Sequence, residues 1–197
     1  MARPREFDSD AAIEQAMRLF WTKGYNNTGL RDLLKAMKIG ESSFYNLYRG
    51  KKELYLRCLD RYNDSVTKPR LAILDSTPSV KVAIRKFFDV VIEESSDPGN
   101  PPACLLANSL FADVLVDPDL RATVEREFRA FEQYLAGRLK RAVKAGELPK
   151  GFPIQSTAGI LITFLQGFFR MYGSLHDKRA VKRQIDQLLT DLNLGAS

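Results

Sequence analysis

The sequence predicts an all-α chain of about nine helices, with a short helix-turn-helix near the N-terminus. Three observations carry this. Glycine and proline are scarce inside the periodic segments and common between them. No strong alternating strand pattern is present. Two short helical patterns, joined by a tight turn, fill NTGLRDLLKAMKIGESSFYNLYRGKKELY, Asn27 to Tyr55.

The first predicted helix runs from about Asp10 to Lys23. Ile13, Ala16, Met17, Phe20 and Trp21 line one face and Gly24 ends it. Thr28 is expected to cap the second helix, where Leu30, Leu33, Leu34 and Met37 recur at helical spacing. Lys38-Ile39-Gly40 makes the turn. The third helix, about Ser42 to Tyr48, is expected to anchor on Phe44 and Leu47, leaving Ser42, Ser43, Tyr45 and Asn46 outward. An exposed polar helix beside basic residues suits a DNA major groove.

A fourth helix is expected from Lys51 to about Leu74, with Leu54, Cys58, Leu59, Tyr62 and Val66 inward and a kink at Pro69. Ser79 or Pro78 opens the fifth, whose inner residues include Val82, Ile84, Phe87, Phe88, Val91 and Ile92. After the loop SSDPGNPP, a sixth helix covers about Ala103 to Val116 and a seventh about Asp119 to Ala145, with Gly146 suited to a left-handed terminus. The eighth, about Ile154 to Tyr172, is apolar nearly all round. The ninth, about Lys178 to Leu192, carries a stripe of Val181, Ile185, Leu188, Leu189 and Leu192.

At FDSDAAIEQAMRLFWTKGYNNTGLRDLL, SSFYNLY and GKKELY the chain resembles the TetR family of bacterial transcriptional repressors. The resemblance covers roughly residues 5 to 62. It implies a DNA-binding head over 1–52 and a ligand-binding and dimerisation domain over 53–197. In the head, it implies that Thr28, Tyr45 and Lys51 hold phosphates, with Lys38, Lys52, Arg3 and Arg5 in a basic fringe. Bases would be read by Glu41, Ser42, Ser43 and Asn46. Asparagine can pair bidentately with adenine, and glutamate can accept from cytosine. Three residues depart from the family pattern. Lys38 stands where a turn glycine is frequent, Gly29 where a serine or threonine is common, and Glu41 where a basic residue is common.

The resemblance further implies a homodimer through the eighth and ninth helices, binding a palindromic operator and released by a small molecule. Gly159 and Gly167 suit close helix approach. The aromatic-rich central helices offer walls for an effector, electrophilic or aromatic in kind. Candidate contacts are Cys104, Asn108, Phe111, Phe131, Phe168 and Arg170. Cys104 reads either as a reactive thiol at a helix start or as a small buried hydrophobe. Arg170 reads either as a partner for an acidic ligand or as half of a salt bridge across the dimer.

Composition agrees with this reading. The 197 residues have a net charge of +6, which favours a polyanionic partner. Within residues 1–52, ten lysines and arginines outnumber six acids. The opening ARPREFDSD is charged and polar, and two cysteines are too few for a disulfide framework, so a cytoplasmic protein is expected. The single histidine, His176, rules out a multi-histidine metal site, and no nucleophile elbow or phosphate-binding glycine loop accompanies it. No cofactor is expected. An enzyme and a helical protein-interaction module are the two rival classes: the lone histidine and the missing motifs argue against the first, and the outward serine, tyrosine and asparagine set with its basic fringe against the second.

Overall fold

The computed structural model describes residues 9–101, 104–109, 112–175 and 177–195. Among these it is helical throughout, with no strand. Three helices form the head: α1 (Ser9–Lys23), α2 (Leu30–Met37) and α3 (Glu41–Leu47). α4 (Lys51–Tyr62) packs on α1 and leads out of the head. The body follows with α5 (Lys68–Ala72), α6 (Val80–Ser96), α7 (Leu105–Asn108), α8 (Ala112–Leu115), α9 (Pro118–Lys144), α10 (Ile154–Leu175) and α11 (Lys178–Asp191).

Two predicted helices are each broken in two. The predicted fourth helix does not simply kink at Pro69. A π-helical turn over Asn63–Thr67 separates α4 from α5, and a short 3-10 turn over Ile73–Asp75 closes the segment. Proline lacks an amide hydrogen and crowds the preceding turn. The extra residue absorbs this: the Lys68 amide bonds to Asn63, five residues back. The inner stripe therefore shifts by one. After Tyr62, the expected Val66 packs half-buried against the core, Thr67 beside it lines a cavity, and Leu71 and Leu74 follow inward. The predicted sixth helix survives as two short helices, α7 and α8.

The helix ends follow from local chemistry. Gly24 and Gly146 both sit at φ +78°, the left-handed conformation that ends α1 and α9 at little steric cost. Ser79 caps α6 by accepting from the Val82 amide, and Asp117 caps α9 by accepting from Asp119 and Leu120. Glu147, just beyond α9, reaches back to the start of α6. It accepts from the Ser79 hydroxyl at 2.6 Å and the Val80 amide at 2.8 Å. Arg138 of α9 is buried, and it donates to the carbonyls of Leu74, Thr77 and Pro78. These contacts fix the corner between the 3-10 turn and α6 against α9. Among the described residues, no helix is long and apolar enough to cross a membrane.

Candidate DNA interface and effector cavity

The face of α3 is set by what lies behind it. Phe44 is fully buried, with the rings of Tyr45 at 5.3 Å and Tyr48 at 5.5 Å against it. Phe44 and Tyr48 are one helical turn apart, so the buried line of α3 runs through them. Leu47, expected as an anchor, lies off that line and is 44% exposed. Glu41, Ser42, Ser43 and Asn46 are exposed, and Tyr45 is 53% exposed.

The turn before α3 shows what a lysine does where glycine is frequent. Lys38 adopts φ 56°, ψ 41°, the left-handed conformation, and its side chain is exposed. That conformation costs a non-glycine residue about 1 kcal/mol. The Lys38 amide bonds to the end of α2, and the Ile39 amide to Leu34. These bonds hold the turn.

Thr28 and Lys51 are placed differently from what the resemblance implied. Thr28 does not cap α2. Gly29 is the capping residue, and the Thr28 hydroxyl is fully buried, donating to the Gly24 carbonyl at 2.7 Å. It has no surface left for a phosphate. The Lys51 ammonium turns inward to the carbonyls of Tyr25 at 2.8 Å and Thr28 at 3.1 Å, and lies 4.3 Å from the Tyr25 ring centre. It ties α4 to the corner between α1 and α2. Lys52 is paired with the body, 2.8 Å from Asp117 and 2.6 Å from Asp119. The Lys52 hydrogen bond is the main reason the Asp117 carboxyl is held below the usual range. Arg3 and Arg5 lie outside the described residues.

Head and body meet along α4. The Tyr55 hydroxyl and the Ser109 hydroxyl are 2.5 Å apart in a fully buried contact. Asn108, expected in a ligand site, instead donates to the Trp21 carbonyl at 3.1 Å. That bond joins α7 to α1. The Tyr62 hydroxyl donates to the Cys104 sulfur at 3.4 Å, while the Tyr62 ring meets Trp21 edge-on at 4.9 Å. Complete burial holds the Tyr62 hydroxyl well above its ordinary pKa, so it stays protonated and donates.

Behind Tyr62 lies a small, mostly apolar cavity of about 30 Å³. Thr67, Arg70 and Leu71 line one side of it, and Phe87 and Val91 of α6 another. Phe128 and Phe131 come from α9, and Leu165, Gln166 and Phe169 from α10. Cys104 and Leu106 complete the wall. Of the predicted ligand contacts, Cys104 and Phe131 reach this cavity. Phe168 is buried, but the α10 wall is made by positions 165, 166 and 169, so Phe168 points off it. Arg170 is exposed. The cation in the wall is Arg70, which donates to Glu94 and, at 3.4 Å, to the Tyr62 hydroxyl. Phe111 lies outside the described residues. Arg70, Gln166 and Tyr62 were missed as site residues. Arg70 alone carried a signal, a charge eight residues beyond Tyr62 on a buried stripe.

Cys104 is the residue before α7, and it is buried. Both cysteines are free thiols. Burial pushes the Cys58 thiol far up, with Glu14 adding to the shift. Among the described residues, no cluster of side chains is suited to hold a metal ion.

Known proteins match both halves of the chain. Residues 12–58 match the model of bacterial regulatory proteins of the tetR family, and residues 81–188 match a tetracyclin repressor-like C-terminal domain. The HTH-type transcriptional regulator YezE of Bacillus subtilis (strain 168) is 32% identical over 148 residues, 75% of this chain and 76% of its own. The HTH-type transcriptional repressor ComR of Escherichia coli (strain K12) is 29% identical over 173 residues, 84% of this chain and 79% of its own. In fold the chain is similar to the TetR-family regulator CifR, solved with a 26-bp double-strand operator DNA. The TM-score is 0.87 at 23% identity, over 95% of this chain and 98% of that one. These relatives are transcriptional regulators, not enzymes. A helix-turn-helix head on a helical body, matched over both parts, makes this chain a member of the TetR family of bacterial transcriptional regulators.

Proposed function

We propose that the protein is a ligand-released repressor that binds a palindromic operator as a homodimer. The observation that carries this is the α3 face: Ser42, Ser43, Tyr45 and Asn46 stand outward on a helix fixed from behind by Phe44. Asn46 and Glu41 are suited to base edges, and Tyr45 and Lys38 to phosphates. Thr28 and Lys51 act behind the interface, holding the corner that aims it. ComR, a repressor, supports the direction of control. A cytoplasmic setting follows from a chromosomal target and suits two free thiols.

The division into a reading head, 1–52, and a ligand-binding and dimerising body, 53–197, belongs to the same reading. Ile160, Thr163, Gly167 and Met171 form an exposed stripe along α10, with a glycine where a second helix would approach. α10 and α11 with their copies would make a four-helix interface. The effector would occupy the cavity behind Tyr62. Displacing Tyr62 from Cys104 and Trp21 would move α4, and with it the head.

The test is selection of bound sequences from random duplex DNA, with Tyr45→Phe and Asn46→Ala proteins alongside. A two-fold symmetric motif is expected, weakened by the first change and altered at one position per half-site by the second. Folded protein that enriches no motif at low salt would sink the reading.

A further inference from the structure

The Gln166 side-chain oxygen is buried and has no hydrogen-bond partner. A buried acceptor left unpaired is uncommon and disfavours the state that contains it. Gln166 lines the cavity behind Tyr62. Two of the other polar groups there are already engaged. Arg70 is answered by Glu94, and the Tyr62 hydroxyl is given to Cys104. The cavity wall therefore carries a compensated charge and, on Gln166, an unused buried acceptor. The same cavity is lined by the rings of Phe87, Phe128, Phe131 and Phe169. Such walls favour a flat aromatic guest, which can meet them face or edge. A carboxylate is disfavoured, because Arg70 is already paired with Glu94 and a second buried anion would be left without a cation.

The cavity is too small as it stands. About 30 Å³ holds a water or two. A groove of about 440 Å³ lies on the other side of its wall, reached past Asn63 and Tyr134. Thr67, Leu71 and Phe131 belong to both spaces. Leu71 and Phe131 are each 9% exposed, so this partition is one layer of side chains.

Resting on the effector reading above, we propose that this site takes a small uncharged aromatic molecule bearing a hydroxyl. The hydroxyl donates to Gln166, and the molecule enters from the groove past a gate formed by Leu71 and Phe131. Leu71 sits four residues after Thr67, so opening the gate pushes on the π turn between body and α4.

Phenol and toluene have nearly the same shape and differ in the donor. Their affinities for the full-length protein are measured by calorimetry, for wild type, Gln166→Leu and Leu71→Trp. Phenol is expected to bind wild type saturably and to lose about tenfold in affinity in Gln166→Leu, while toluene binds that variant as well or better. Gln166→Leu is also expected to melt higher than wild type without ligand, because the unpaired oxygen is gone. Leu71→Trp is expected to slow entry of both compounds. Gln166→Met serves if the leucine variant does not fold. Equal changes for phenol and toluene in Gln166→Leu would overturn the proposal, as would phenol binding that ignores the substitution. If neither compound binds wild type that still selects a DNA motif, the ligand class fails and the regulator reading stands. Phenol binding by a protein that selects no DNA would do the reverse.

Discussion

In the head, Phe44 is fully buried under two neighbouring rings, and the side chains left over face solvent. In the body, four phenylalanines surround a cavity, and one polar side chain has its oxygen buried without a partner. The head is packed tightly enough to hold a surface in one shape, which suits a rigid target. On the proposed effector reading, the body gives up packing where a guest would enter. Rigidity in one part and slack in the other are both needed if occupancy of the second is to move the first.

The sharpest way to break this contrast is a matched pair of phenylalanine truncations. Phe44→Ala should cost about 3–5 kcal/mol, the usual loss for a close-packed site. Phe131→Ala should cost less, about 1–2 kcal/mol, because the ring already borders open space. Urea unfolding measures both, and equal costs would mean that the body is packed as tightly as the head.

A pair of carboxylates gives the next largest effect. Burial alone would raise the pKa of Glu147, but hydrogen bonds from Ser79 and the amides of Val80 and Lys81 outweigh it, and the group sits below its ordinary 4.5. A depressed folded pKa stabilises above the unfolded value and loses that stabilisation as pH falls through the folded one. Glu147→Gln should therefore cost about 1–2 kcal/mol near neutral pH, and the difference from wild type should shrink below about pH 4.5. In the head, the exposed Asp32 carboxyl is lowered chiefly by Lys23. Asp32→Asn should change the melting temperature little, and less still in high salt.

Lys38→Gly should stabilise the head by about 0.5–1 kcal/mol by relieving the left-handed backbone, yet weaken DNA binding by removing an exposed charge. Melting and DNA titration should thus move in opposite directions. The smallest effect on stability concerns the thiols. In native protein, N-ethylmaleimide should modify Cys104, which lines the cavity, before Cys58, which is buried in the packing between α4 and α1. Mass spectrometry of digested protein gives the order.

The helices of the head were legible because each rests on local signals: the periodic stripes, Gly24 at a terminus, and Lys38-Ile39-Gly40 between two short helices. The direction in which Thr28 and Lys51 point was not. A short hydroxyl beside a helix start reads as a cap, and a lysine at a helix start reads as a phosphate ligand. Here the Gly24, Tyr25 and Thr28 carbonyls, made available by the turn after α1, take both donors. In the body, the sequence carried helix lengths and the sides rich in aromatics. It did not carry the register of the cavity, because one extra residue between Tyr62 and Thr67 shifts every inward position after it. Gln166 was hidden for a related reason. A lone glutamine in an apolar helix reads as a break in hydrophobicity, and only the placement of Phe169 and Leu165 turns it into a wall.

The π turn also makes the relation between the two halves a matter of counting. A helix advances about 100° per residue. Deleting one residue from 63–67 would turn α4 by about that angle against α5, and the buried contacts Tyr55–Ser109 and Tyr62–Cys104 could not both survive the turn. The direction in which the reading face looks thus depends on a surplus residue and on the contacts of α4 with the body agreeing with each other. A chain one residue shorter in this stretch would have to rebuild the seam between head and body before it could present α3 as this one does.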